Sequence, residues 1–261
     1  MMISLQAVLT VIFSAAALVL SLIRLNTAME PDGLFIKGHP LTYALSALLI
    51  LFFILSVLLN IKKDKFGTLD ITKQISPHGF GKVMAFVMLA ACVISAVGFI
   101  AAGMGQRFEM RTAVMVLLSV IMAFTFLPIA VYFASGNYKT SLVPAALAPV
   151  FITAVMLIVN YISVTQMATP AQYGYLIIAQ LANVLCFYYL AKFLSGAPCA
   201  RGAVITSSFA AAANAAAYVG PFVYAIVGGS FTAGSLQGIL GVASCFYAIA
   251  ILLFVRRESV K

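Results

Sequence analysis

The sequence predicts an all-α fold, a polytopic transmembrane bundle of eight helices with both termini in the cytoplasm. Of the 261 residues, 64% are hydrophobic and 8% are charged, whereas soluble chains carry about 25% charged residues. A soluble core cannot bury so much apolar surface, so lipid must be the main solvent. The apolar runs have the length of about 20 residues that a helix needs to cross the hydrocarbon layer, and they are too long for barrel strands.

Eight such runs follow one another along the chain. They cover residues 3–24, 40–60, 82–104, 112–134, 141–163, 171–193, 203–228 and 234–255. All Asp and Glu residues lie outside these runs, and the Lys and Arg residues lie outside them or at their edges. The connections are too short to form a separate domain, so we expect one integral membrane domain over residues 1–261.

The basic residues predict which way the bundle faces. With eight spans, both termini share one side of the membrane with the connections after spans 2, 4 and 6. Eleven of the 15 Lys and Arg residues lie on that side. The positive-inside rule therefore places both termini in the cytoplasm. Because topology explains the net charge of +9, membrane lipids are the expected partner and nucleic acid is not.

Several kinds of chemistry are missing from the predicted spans. The two histidines, His39 and His78, fall on opposite sides of the membrane, so they cannot share a metal ion. No Asp, Glu or His lies within a span, and an intramembrane hydrolase or proton pump needs ionisable groups at depth. The chain also has no phosphate-binding loop motif and no CxxC motif. We therefore expect no enzymatic activity, no cofactor and no metal site.

Amide and hydroxyl side chains are the deepest polar groups in the spans. They are Gln180 and Asn183 on span 6, Asn214 and Tyr218 on span 7, Thr125 on span 4 and Thr153 on span 5. The two amides of span 6 are three residues apart, so they share a helix face. A buried amide in lipid must find a partner. Two interpretations stay open: interhelical hydrogen bonds that hold the bundle together, or a neutral, amide-lined binding site near the middle of the membrane.

The connection between spans 1 and 2 is a second candidate site. It contains Glu30, Asp32 and His39, which together could bind a cation or an extracellular ligand. The alternative is a solvated turn, in which Asp32 and the following glycine reverse the chain and His39 starts span 2.

Small residues distinguish the last two spans. Gly234, Gly238 and Gly241 are spaced to share one face of span 8, and the first half of span 7 is rich in Ala and Ser. Such surfaces permit close helix packing, either within the chain or against a partner membrane protein or a second copy. Pro128, Pro149 and Pro221 are expected to kink spans 4, 5 and 7, because proline removes a backbone donor.

Three segments carry a resemblance to known sequences. They are RLNTAMEPDGLFIKGHP at 24–40, ATPAQYGYLIIAQLANVLCFYYLAKF at 168–193 and the GAPCARG turn that follows. In these segments and in its helix count, the chain resembles a group of uncharacterised polytopic membrane proteins of anaerobic Gram-positive bacteria. The resemblance implies location in the plasma membrane of a bacterium and a helical fold, and it implies no activity.

The sequence therefore favours two functions. The first is a carrier, or a substrate-binding membrane subunit, for a neutral or lipid-like small molecule. It predicts a hydrated cavity lined by Gln180, Asn183 and Asn214. The alternative is a non-catalytic accessory or scaffold subunit, which acts through helix–helix contacts or the cytoplasmic loop 61–81 and in which the amides are dry.

Overall fold

The computed structural model describes residues 2–29, 35–36, 38–61, 79–104, 109–137, 139, 141–165, 174–197 and 199–259. The helices are α1 (Met2–Thr27), α2 (Pro40–Leu59), α3 (Gly79–Met104), α4 (Met110–Ser135), α5 (Leu142–Thr165), α6 (Gly174–Leu194), α7 (Ala200–Asn214), α8 (Gly220–Val227) and α9 (Ile239–Ser259). A π-helical turn (Ala215–Val219) joins α7 to α8, and a 3-10 helix (Ala233–Gly238) precedes α9. The described residues form eight segments that are long and apolar enough to span a membrane. The predicted polytopic helical bundle is therefore confirmed.

Side-chain contacts show that successive segments run antiparallel. Gln6, near the start of α1, donates a hydrogen bond from Nε2 to Ser56 Oγ, near the end of α2, at 3.0 Å. Arg111, near the start of α4, donates to Asn160 Oδ1, near the end of α5, at 3.3 Å. We call the end of the bundle that holds the start of α1 and the end of α9 the proximal end. The other end, which holds Arg111 and Asn160, is the distal end.

Helix α7 occupies the centre of the bundle. It packs against α1, α2, α6 and α9, while α9 packs on α3, α3 on α4, α4 on α5, and α5 on α6. A hydrogen bond of 2.8 Å between the Ser46 and Tyr175 hydroxyls links α2 to α6 and closes the ring around α7. The central position follows from the small side chains of α7, because alanine and serine let several helices approach one backbone.

The proline in the seventh span produces a π-helical turn. Pro221 has no N–H, so it cannot donate to the Ala216 carbonyl five residues earlier. Ser21 on α1 supplies the missing donor, with Oγ 2.7 Å from that carbonyl oxygen. A Cβ atom at Gly220 would lie 2.5 Å from Ser21 Oγ. Because Gly220 has no side chain, Ser21 can reach the Ala216 carbonyl that Pro221 leaves without a donor.

The 3-10 helix before α9 is held against α3. Ser95 Oγ accepts a hydrogen bond from the Leu240 N–H at 3.0 Å and donates to the Leu236 carbonyl at 3.4 Å. A Cβ atom at Gly98 would lie 2.7 Å from the Gln237 backbone nitrogen. The close approach at Gly98 is what brings this segment onto α3.

The expected glycine face of span 8 is only partly present. Gly234 and Gly238 lie in the 3-10 helix, where residues four apart no longer share a face because there are three residues per turn. A Cβ atom at Gly238 would meet nothing within 4 Å. Only Gly241 lies in α9 and packs closely, against the Tyr218 ring. This contact is within the chain.

One cation lies deeper than the sequence indicates. Arg24, in the last turn of α1, is 6% exposed. Its guanidinium carbon is 3.8 Å from the Phe35 ring centroid and 4.9 Å from the Tyr175 ring centroid, and its Nε donates to Thr42 Oγ1 at 3.1 Å. Two aromatic faces thus replace water around this charge.

Candidate functional site

A cavity of about 360 Å³ lies in the distal half of the bundle. The size is within the range of small-molecule sites. Its wall comes from α3, α4, α5, α6, the π-helical turn, α8, the 3-10 helix and α9. Among the lining residues are Arg111, Met115, Met122, Thr153, Met156, Asn160, Gln180, Asn183, Tyr218, Gln237, Gly238, Gly241 and Ser244. Both irregular segments of the last two spans therefore contribute to one wall.

Gln180 supplies the clearest binding group in the cavity. The side chain is 9% exposed, and its Oε1 has no hydrogen-bond partner. The carboxamide lies beside the Tyr218 hydroxyl, and the Tyr218 ring is held against Gly241. A buried acceptor without a partner costs about 1–3 kcal/mol. Gln180 is therefore a group that a ligand donor would satisfy.

The other two amides predicted at this depth bind each other. Asn183 Nδ2 donates to Asn214 Oδ1 at 3.0 Å, and Asn214 Nδ2 donates to Asn183 Oδ1 at 2.6 Å. Asn214 Nδ2 also donates to the Ala210 carbonyl at 2.8 Å. Asn183 lines the cavity, whereas Asn214 is 0% exposed and does not line it. This pair joins α6 to α7, as expected for interhelical hydrogen bonding.

The two threonines differ in position. Thr153 lines the cavity, and its Oγ1 donates to the Pro149 carbonyl at 2.6 Å. Thr125 does not line it, and its Oγ1 donates to the Met122 carbonyl at 2.7 Å. Two threonines at the same depth on neighbouring helices can point in different directions. Thr125 is therefore no longer a candidate binding residue.

Three aromatic side chains pack together just beyond the cavity, on its proximal side. Phe126, Phe187 and Tyr247 each lie one helical turn beyond a lining residue of α4, α6 and α9, respectively. Their ring centroids are 5.4–6.1 Å apart, and all three side chains are buried. We call these three residues the aromatic floor. The Tyr247 hydroxyl is buried without a hydrogen-bond partner.

Arg111 lies at the distal end of the cavity. It is exposed, and among the described residues that line the cavity it is the only charged one. Its hydrogen bond goes to the neutral amide of Asn160, which is 8% exposed. The deepest part of the site is therefore neutral, and its entrance is cationic.

The candidate site between the first two spans is only partly described. His39 caps α2, and its Nδ1 accepts a hydrogen bond from the Leu41 N–H at 3.3 Å. Its role there is the one expected of a turn residue. Glu30 and Asp32 lie outside the described residues. Within the part of the chain that is described, no group of three or more His, Cys, Asp or Glu side chains could hold a metal ion.

Sequence reasoning missed Arg111 and Asn160. Both lie at the ends of predicted spans, where a charge or an amide is ordinarily solvated and does not indicate a binding site. A signal was present: Asn160 is an amide that falls within predicted span 5. Its pairing with Arg111 depends on how α4 and α5 pack.

Comparisons with protein-family models, with curated proteins and with solved structures found no match for the chain. The functional argument therefore depends on the geometry of the cavity.

Proposed function

We propose that this integral membrane protein is a carrier, or the substrate-binding membrane subunit of a transport system, for a small neutral or lipid-like molecule. The observation that carries the proposal is Gln180 Oε1, which is buried in a cavity of suitable size and has no partner. Binding sites commonly contain a polar group whose hydrogen-bond partner is the ligand. In a protein that acts only as a scaffold, an unpaired buried acceptor lowers stability and serves no purpose.

The aromatic floor supports transport over simple packing. The lining residues run from Arg111, which is exposed at the distal end, to Met122, Asn183 and Ser244, and the aromatic floor packs beyond them. A carrier that works by alternating access exposes its site to one side at a time. Access from one end and closure at the other is the arrangement expected of one such state.

The irregular backbone around the cavity also supports the proposal. The π-helical turn contains Tyr218, and the 3-10 helix contains Gln237 and Gly238. π-helical turns are frequent at functional sites, and interrupted helices commonly form the substrate sites of secondary transporters.

The accessory-subunit hypothesis receives less support. It needs small-residue faces that are free to meet a partner helix. Gly241 instead packs on Tyr218, and Ala210–Ala213 of α7 are almost fully buried within the chain.

Cysteine labelling tests whether the cavity admits water. In a variant with Cys92, Cys186, Cys199 and Cys245 replaced by Ala, Ser244→Cys would place a thiol on the cavity wall. Ser208→Cys is the matched control, because Ser208 is 0% exposed and does not line the cavity. We expect a charged methanethiosulfonate reagent to modify Ser244→Cys at least about tenfold faster than Ser208→Cys, since only thiolate in contact with water reacts readily.

Equal and slow modification of the two thiols would contradict the proposal. A cavity without water would favour the accessory-subunit hypothesis instead. Reaction of both thiols at similar high rates would mean that the bundle opens as a whole, and it would also count against a defined site.

A further inference from the structure

We infer that the ligand of this cavity is an anionic amphiphile. Its carboxylate or phosphate group binds Arg111, its apolar body lies along the methionines, and a hydroxyl or N–H group donates to Gln180. This inference rests on the proposed function, because it names the class of molecule that occupies the same cavity.

Arg111 provides the anion site. A guanidinium has five N–H donors, and among the described residues Arg111 makes one hydrogen bond, to Asn160 Oδ1. No described carboxylate forms an ion pair with it. The remaining donors form a planar fork that matches a carboxylate or a phosphate. The buried Asn160 amide fixes the direction of the guanidinium without neutralising its charge.

The wall between Arg111 and the deepest part of the cavity is rich in methionine. Met115 lies one turn inward from Arg111 on α4, Met156 lies one turn inward from Asn160 on α5, and Met122 lies farther in. Unbranched thioether side chains adapt to apolar ligands of different shapes. They favour an alkyl or acyl body over a uniformly polar molecule.

Gln180 fixes the orientation of the ligand. Its free Oε1 only accepts hydrogen bonds, so an anionic group placed there would face a second acceptor and be repelled. Gln180 is six residues beyond Gly174, where α6 begins, and a helix rises 1.5 Å per residue. The acceptor therefore lies about 9 Å below the distal end of α6. The ligand must carry its anionic group at Arg111 and a donor that reaches deeper into the cavity, to Gln180.

Binding of defined probes tests this assignment. The purified full-length protein would be placed in phosphatidylcholine nanodiscs, and the dissociation constants of octanoate, octyl phosphate, octanol and ω-hydroxyoctanoate would be measured at low salt, with empty nanodiscs subtracted. We expect octanoate to bind about tenfold more tightly than octanol, because a charge-assisted hydrogen bond is about twice as strong as a neutral one. We expect ω-hydroxyoctanoate to bind more tightly than octanoate. The octanoate and octyl phosphate measurements distinguish carboxylate from phosphate ligands.

Two variants assign the effects to residues. Arg111→Gln should remove the preference for octanoate over octanol while the affinity for octanol stays unchanged. Arg201→Gln is the matched control, because Arg201 starts α7 at the proximal end and does not line the cavity. Gln180→Leu should remove the additional affinity of ω-hydroxyoctanoate and leave that of octanoate.

The outcomes separate this inference from the proposed function. Equal binding of octanoate and octanol to the wild-type protein would overturn the anionic assignment, while the proposed cavity would stand because octanol occupies it. A preference that survives Arg111→Gln would overturn it as well. If no probe binds and Ser244→Cys is unreactive, both proposals fail, whereas no binding with a reactive Ser244→Cys overturns the anionic assignment alone.

Discussion

The carboxamides of Asn183 and Asn214 satisfy each other across α6 and α7. Both donors and both acceptors that face the partner helix are used in this reciprocal pair. Either side chain, left alone, would keep a buried polar group in an apolar bundle. The pair therefore acts as a unit.

A double-mutant cycle measures this coupling. We expect Asn183→Leu and Asn214→Leu each to lower the free energy of unfolding by about 1–2 kcal/mol, because each leaves the other amide unpaired. The double variant should lose less than the sum of the two. The measurement is denaturant unfolding in mixed micelles, and strictly additive losses would show that the two amides act independently.

Gln180 should behave in the opposite way. Its Oε1 has no partner, so Gln180→Leu removes a buried unsatisfied acceptor, and Tyr218, which loses its amide neighbour, lines the cavity. We expect the thermal midpoint of Gln180→Leu to equal or exceed that of the wild type, and Asn183→Leu to melt lower. A Gln180→Leu protein that melts as low as Asn183→Leu would indicate a structural role for Gln180.

Composition and spacing were enough to find the deep amides, but not their separate roles. Gln180 and Asn183 share a face of α6, and whether an amide on that face meets Asn214 or a cavity depends on the rotation of α7. The rotation of a helix is set by its packing against the small side chains of its neighbours. The sequence of one span does not determine that packing. The same limit explains why Thr125 was expected at the site and lies outside it.

At the level of helices, the seventh span depends on a hydrogen bond from another helix. The Ser21 hydroxyl donates to the Ala216 carbonyl that Pro221 leaves without a donor. Ser21→Ala should lower stability by about 1–3 kcal/mol, because the carbonyl is then buried and unpaired. In a Pro221→Ala background the loss should be much smaller, since the new N–H can serve that carbonyl. Equal losses in the two backgrounds, measured by thermal unfolding, would contradict this account.

The contact between α3 and the 3-10 helix depends on the absence of a side chain at Gly98. Gly98→Ala would place a Cβ atom 2.6 Å from Leu236 Cβ and 2.7 Å from the Gln237 nitrogen. Because one of these atoms is backbone, we expect overpacking to cost about 1–3 kcal/mol. Gly238→Ala is the matched control, since a Cβ atom there meets nothing within 4 Å. Similar unfolding temperatures for the two variants would argue against a tight contact.

The sequence predicts the spans much better than it predicts their irregularities. The seventh segment, expected at 203–228, is Ala200–Val227, and the eighth, expected at 234–255, is Ser235–Leu253. Hydropathy depends only on composition, so it identifies a span whether the helix is α, π or 3-10 at a given point. The 3-10 helix depends instead on Ser95 and Gly98, which lie some 140 residues away in the chain.

At the scale of the whole molecule, the bundle is a ring of seven segments around α7. The ring places the cavity in its distal half and the aromatic floor beyond it. The sequence predicts eleven of the 15 basic residues on the membrane side that both termini share. By the positive-inside rule, we propose that the cavity, at the opposite end, faces the outside of the cell.

Labelling in intact cells tests this orientation. In the cysteine-free variant, Glu109→Cys at the distal end and Ser195→Cys at the proximal end are both exposed positions. We expect an impermeant maleimide to modify Glu109→Cys from outside, and Ser195→Cys only after the cells are opened. The reverse pattern would invert the orientation and place the cavity on the cytoplasmic side.

The central position of α7 also bears on biosynthesis. A nascent chain that has inserted six segments still lacks the surface against which α1, α2 and α6 pack. The missing segment is also the least hydrophobic of the eight, with a mean hydropathy of 1.5. Its retention in lipid therefore relies on helices that were translated earlier, and their assembly relies on it. A ribosome that stalls before residue 200 would leave an open ring, which membrane proteases could recognise as unfinished.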